Sequence, residues 1–113
     1  MILLCLAAIA IDGDTIRCQD GTRIRLHGIE AAELHGGCHL PACPAMSGPE
    51  ARDWMRRQVD GQDLRYEPVG KSYRRVVAVV ALPDGRDLSC LAIQAGVAVR
   101  WDKFDRGGRL RGC

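Results

Sequence analysis

The chain has 113 residues, a formal charge of +2, 47% apolar residues and 27% charged residues. That composition excludes a disordered chain, and the length suits one domain over residues 1–113 with a single core and modest stability. The small net charge does not by itself announce a polyanionic partner, and no apolar run reaches the roughly 20 residues of a membrane-spanning helix.

Residues 2–11 form the only strongly apolar run. It reads as the first strand, running into Asp12. A signal peptide would want a basic start, which Met1-Ile2 does not offer. The default address is therefore cytoplasmic, with a secreted or periplasmic one if a leader has been trimmed away.

Asp12 and Asp14 flank Gly13, so on an extended backbone both carboxylates leave one face. Asp20-Gly21 is a two-residue hairpin signal between residues 15–18 and 22–26. The second strand alternates: Ile24 and Leu26 point one way, Arg23, Arg25 and His27 the other. Folding back brings Arg25 near Asp14, with Glu30 and Glu33 following where the strand ends. Carboxylates beside an arginine at a strand end suit a hard cation next to a phosphate. On pattern alone, however, Asp-Gly is ordinary turn chemistry, and Ile/Arg alternation is what any half-exposed sheet shows.

Six cysteines are many for this length. Cys5, Cys18 and Cys90 lie in apolar or strand-like surroundings and read as small core residues. Cys38 and Cys43 flank a Pro-containing loop and suit a small disulfide ring, while His35, Cys38, His39 and Cys43 together offer four soft ligands. Their spacing matches no common zinc module, so zinc ranks a distant second there. Cys113 is expected to be free.

Ser47-Gly48-Pro49-Glu50 is a capping box opening a helix. Ala51, Trp54, Met55 and Val59 fall on its core face, Arg52, Arg56 and Arg57 lie largely outside it, and Gly61 ends it. Residues 63–68 alternate as a short strand, followed by a turn at Gly70. Residues 76–82 read as a buried strand closed by Pro83-Asp84-Gly85. Residues 88–94 predict a short helix stopped by Gly96, and residues 97–99 the last strand. Five strands with a helix between the third and fourth, and two or three short helices in all, predict a mainly β, five-stranded OB-type barrel. Basic residues gather late: residues 100–113 hold five against two acidic ones, and Arg74-Arg75 form a second cluster.

Asp12-Gly13-Asp14-Thr15, the hairpin, and the run from Ile24 through Glu33 together resemble the opening of the staphylococcal-nuclease-like (thermonuclease) family, whose usual form is a DGDT turn followed by a strand of type (I/V)RLxGIDxPE. Lys71-Ser72-Tyr73-Arg74-Arg75 resembles that family's DxYGRxxA segment. Asp87-Leu88 and the Gln94 to Ala98 run resemble its late helix and closing strand. The three blocks occur in family order and cover nearly the whole chain.

The resemblance implies a calcium-dependent nuclease acting on DNA and/or RNA with little sequence preference, as a monomer. It implies Asp14 and Glu30 as Ca2+ ligands with the Ala31 carbonyl, and Asp12 as a nearby acid. Arg25 and Arg75 match the two catalytic arginines, Glu33 the water-orienting acid, and Tyr73 a phosphate-contacting tyrosine. Glu30 replaces the usual aspartate and is one methylene longer. Ala32 replaces a proline, predicting a looser loop around Glu33, and Arg74 replaces a glycine, predicting strain there if the backbone needs positive φ. The competing reading is a barrel that binds nucleic acid or protein without cutting. A zinc-stabilised module on residues 35–43 ranks third.

Overall fold

The computed structural model describes residues 1–113. Its elements, in order, are β1 (Leu3–Cys5), β2 (Ile9–Ala10), β3 (Thr15–Arg17), β4 (Arg23–Leu26), β5 (Ile29–Ala31), α1 (Gly48–Val59), β6 (Leu64–Ser72), β7 (Arg75–Ala81), α2 (Leu88–Gln94) and β8 (Ala98–Arg100), followed by a 3₁₀ turn at Asp102–Phe104. A curled six-stranded sheet runs β1-β6-β7-β4-β3-β2, and β5 pairs with β8 in a second, two-stranded sheet. This is the mainly β, OB-type architecture expected, built from eight short strands rather than five.

Several expectations need correction. The apolar N-terminal run is two strands, because the chain turns at Leu6-Ala7, where Ala7 takes φ 46°. Each half then pairs elsewhere: Leu4 opposite Arg65, Ala10 opposite Ile16. The predicted turn at Gly70 is instead an irregularity of register between Pro68 and Gly70 inside a long hairpin. The reversal comes at Tyr73-Arg74, and the residue there with positive φ is Tyr73 (57°), not Arg74. The expected strain therefore sits one residue earlier.

The Asp20-Gly21 hairpin forms with Thr15 opposite Arg25. β4 then pairs in parallel with β7, Arg25 opposite Val77. Alternation puts Ile24 and Leu26 in the core and leaves Arg23 outside. β7, expected to be buried throughout, alternates too: Ala78 and Val80 are buried while Val77 and Val79 are only half so.

Helix α1 is capped as predicted. Ser47 Oγ accepts from the Glu50 amide (3.3 Å) and donates to Glu50 Oε1 (2.8 Å), a pairing that satisfies an otherwise orphaned first-turn donor. Ala51, Met55 and Val59, four apart, form its buried stripe. Burial of Met55 and Val59 side chains contributes about 1.5–3 kcal/mol each. α2 is capped by Asp87, whose Oδ1 accepts from the Cys90 amide. The core lies between these helices and the curled sheet and includes Ile16, Ile24, Leu26, Ile29, Met55, Leu64, Val80 and Leu88.

All six cysteines are paired: Cys5–Cys18, Cys38–Cys43 and Cys90–Cys113. The ring at 38–43 is as read from sequence. Cys5, Cys18 and Cys90 are not free core thiols, and Cys113 is not free, because the end of the chain folds back onto α2. With both sulfurs of the 38–43 loop bonded to each other, the four-ligand set of His35, Cys38, His39 and Cys43 does not exist.

Candidate active site

Gly13 and Gly48 set the site's position by close approach. A Cβ on Gly13 would stand 2.7 Å from the Ala31 Cβ and 2.9 Å from that of Ala51, so only glycine lets the Asp12–Asp14 turn lie against β5 and α1. A Cβ on Gly48 would fall 2.1 Å from the Glu33 carbonyl oxygen. The start of α1 is thus pressed onto the backbone that carries Glu33. That backbone is also closed into a turn, Glu33 N–H donating to Gly37 O (2.8 Å) and Gly36 N–H to Glu33 O (2.9 Å). These contacts supply order where the missing proline at Ala32 predicts looseness.

Asp14 is anchored on three sides. Its Oδ2 meets Arg25 Nη1 at 2.5 Å and accepts from the Ala31 amide at 3.3 Å, while its Oδ1 accepts from the Thr15 hydroxyl at 3.1 Å. Arg25 reaches from β4 to a second carboxylate, Nη2 donating to Glu30 Oε1 at 3.0 Å. Glu30 is 1% exposed, and its other oxygen accepts from the His39 amide at 2.6 Å. The Arg25–Asp14 contact is close but poorly aligned, leaving Nη1 buried without a hydrogen-bond partner. Its attraction is therefore electrostatic more than directional.

Arg75, at the start of β7, joins the same array. Its Nη1 donates to Thr15 Oγ1 (3.1 Å) and its Nη2 to Ser72 Oγ (3.4 Å). Because the Thr15 hydroxyl in turn donates to Asp14, the two arginines are linked through one threonine and one aspartate. Asp12 stands alongside, its Oδ1 accepting from the Asp14 amide (3.0 Å). Partial burial, then the charge of Asp14 and a side-chain hydrogen bond with it, push the Asp12 carboxyl up to about 6. Asp12 therefore holds its proton into mildly acidic solution.

These groups line a cleft of about 780 Å³ that also takes in Glu33, Tyr73, Trp101 and Lys103. Tyr73 is 97% exposed at the hairpin tip, on the rim. Glu33 contacts His39, Oε1 to Nε2 at 3.3 Å. Seven of the residues singled out in the sequence (Asp12, Asp14, Arg25, Glu30, Glu33, Tyr73 and Arg75) line this cleft, and Ala31 is buried behind it with its amide on Asp14. The donor set of Asp14 and Glu30 fits a cation: two buried carboxylates are already turned toward one positive group, the Arg25 guanidinium.

Sequence reasoning did not find three contributors. Thr15 and Ser72 position Arg75, and their only signal was adjacency to the acidic turn and to Tyr73. Trp101 stacks on His39, ring centroids 6.2 Å apart and 18° from parallel, and packs edge-on to Phe104 at 4.8 Å. In sequence His39 lies among the cysteines, and only the fold brings it to the acids Glu30 and Glu33.

The family model described as staphylococcal nuclease homologue matches residues 23–109. No curated protein matches the chain.

Proposed function

The chain belongs to the staphylococcal nuclease homologue family, and on that premise we propose that it hydrolyses phosphodiester bonds of DNA and/or RNA, with little sequence preference and with calcium. The observation that carries this reading is one array at one cleft, in which Arg25 bridges Asp14 and Glu30 and Arg75 stands a single hydroxyl away.

A phosphodiester resists attack because its negative charge repels a nucleophile, and further charge develops on its equatorial oxygens. Arg25 uses two of its nitrogens on carboxylates and keeps further N–H donors for a phosphate oxygen. Arg75 is held by two neutral hydroxyls only, so its charge is uncompensated and aimed at the cleft. Glu33, on its ordered turn, orients or deprotonates the attacking water. Tyr73 meets the phosphate from the rim. Asp14, Glu30 and the Ala31 carbonyl would hold calcium, with Asp12 close by. Bound there, the ion supplies further charge neutralisation and a polarised water.

Three disulfides in 113 residues support the second of the two addresses, an oxidising compartment such as the periplasm or the exterior.

A barrel that binds nucleic acid without cutting it is the second reading, favoured by the engagement of Arg25 with two buried carboxylates. The deciding experiment is cleavage of single-stranded DNA, duplex DNA and RNA, with calcium or with excess chelator, comparing the wild type with Glu33→Gln. Calcium-dependent cleavage lost in the variant is expected. Retained binding with no cleavage in the wild type overturns the enzyme reading in favour of the second.

A further inference from the structure

Overlapping the calcium set at Glu30 lies a second arrangement with different chemistry. Glu30, Glu33 and His39 each bring one ligand atom to within 4.8 Å of the other two. Two are carboxylates and the third is an imidazole nitrogen, a softer donor that calcium does not favour and first-row transition ions do.

One of the three pairs already has the spacing of a first coordination shell, and the other two need only close in on an ion. Neighbouring ligands on bonds of about 2.1 Å stand about 3.0–3.4 Å apart, whether the ion is octahedral or tetrahedral. His39 Nε2 and Glu33 Oε1 are 3.3 Å apart.

The imidazole is also held in place from several sides. Its ring stacks on Trp101. The Cys38–Cys43 disulfide closes the loop that carries it, and its own amide is tied to the buried Glu30 carboxylate. Nε2 is left facing the cleft beside Glu33, with the His39 side chain 66% exposed and open to an incoming ion.

We propose that Glu30, Glu33 and His39 bind a divalent transition ion in the cleft, in competition with calcium. The site itself needs only these three side chains. The competition rests on the function proposed above, because Glu30 is common to both sets. Glu33 is occupied as a ligand when the transition ion is bound, so it is withdrawn from its role toward water. The ion therefore acts as an inhibitor of cleavage rather than as a substitute for calcium.

The test uses the full oxidised chain without a polyhistidine tag, titrated with Co2+ in the absence of calcium and followed by its visible d–d absorption. Because all cysteines are disulfide-bonded, no thiolate competes for the probe. One equivalent is expected to bind. His39→Ala and His39→Gln should each weaken binding by roughly tenfold or more, while His35→Ala leaves it unchanged. The ratio of Co2+ to Ca2+ affinity, measured by calorimetry, should fall with His39 removed. Co2+ affinity unaffected by both His39 variants, or lost in His35→Ala instead, overturns the site. If Co2+ binds through His39 but calcium neither binds nor supports cleavage, the site stands and the nuclease reading fails.

Discussion

Replacing Arg25 with methionine keeps most of the side chain's volume and removes the charge that Asp14 and Glu30 share. Arg25 and Asp14 side chains are each 11% exposed and that of Glu30 is 1% exposed, so water cannot replace the guanidinium. Breaking a buried pair by removing one partner costs about 3–5 kcal/mol, because an uncompensated charge is left behind. Here two carboxylates lose one cation, which puts the loss toward the upper end. For 113 residues, an unfolding entropy of about 2.1 cal/mol/K per residue converts this to a Tm lower by about 12–20 °C. Calcium on the same two carboxylates restores much of it: an ion at a hundred times its Kd stabilises by about 2.7 kcal/mol. The assay is urea unfolding of wild type and Arg25→Met at neutral pH, with chelator and with calcium. A large deficit is expected in chelator, and calcium should narrow it. A deficit below about 1 kcal/mol in chelator, or one that calcium leaves untouched, would refute the idea that the guanidinium balances a cation site.

Other outcomes follow from the same structure. Arg75→Ala removes a guanidinium bound only by two hydroxyls at the cleft's edge, so it should abolish cleavage while moving the urea midpoint little; near-normal rates would refute its transferred role. Asp12 has its folded pKa raised to about 6 from 3.8, so the native state holds the extra proton and stability falls as pH rises from about 4 to about 6. Two units correspond to about 3 kcal/mol, reduced to roughly 1–2 by the group's partial exposure. Asp12→Asn, which keeps the acceptor for the Asp14 amide, should remove that fall, and chelator-treated variant and wild type giving parallel stability profiles between pH 4.5 and 7.5 would contradict it. Replacing Cys90 and Cys113 together by serine opens a loop of 23 residues and should cost about 3 kcal/mol on the chain-entropy model. A loss within 1 kcal/mol in a denaturant series would show that the C-terminal tail is held by its other contacts alone.

Where the sequence carried local instructions, it was readable. Ser47 with Glu50, Asp20 with Gly21, and the alternation of Ile24, Arg25 and Leu26 each act within a few residues, and each produced the element they predict. The split of the N-terminal run was not legible, since Ala7 turns with positive φ where a glycine would have signalled it. The hairpin of β6 and β7 misled for the opposite reason: Gly70 marks an irregularity, and the turn is left to Tyr73. Cysteine pairing is a property of tertiary proximity, and six cysteines allow about 15 pairings. All eight predicted site residues rest on three short stretches, 12–14, 25–33 and 73–75, that the sheet joins, which is why they were found. His39 reaches Glu30 and Glu33 through a loop with no periodicity, so nothing local announced the meeting.

Arg25 and Arg75 lie fifty positions apart, and only the parallel register of β4 with β7, Ile24 beside Val76, makes them neighbours. A parallel pair needs a long crossover, here one that includes α1 and β6, so this ladder cannot zip from a nearby turn. The N-terminal hairpin can form early and hold Asp14 beside Arg25, but the second arginine arrives only when the far half of the chain has docked. A nascent or partly threaded chain is thus latent: it carries an incomplete set of phosphate-binding groups until the whole sheet has closed. For the nuclease proposed above, strand order would by itself delay activity until folding is complete.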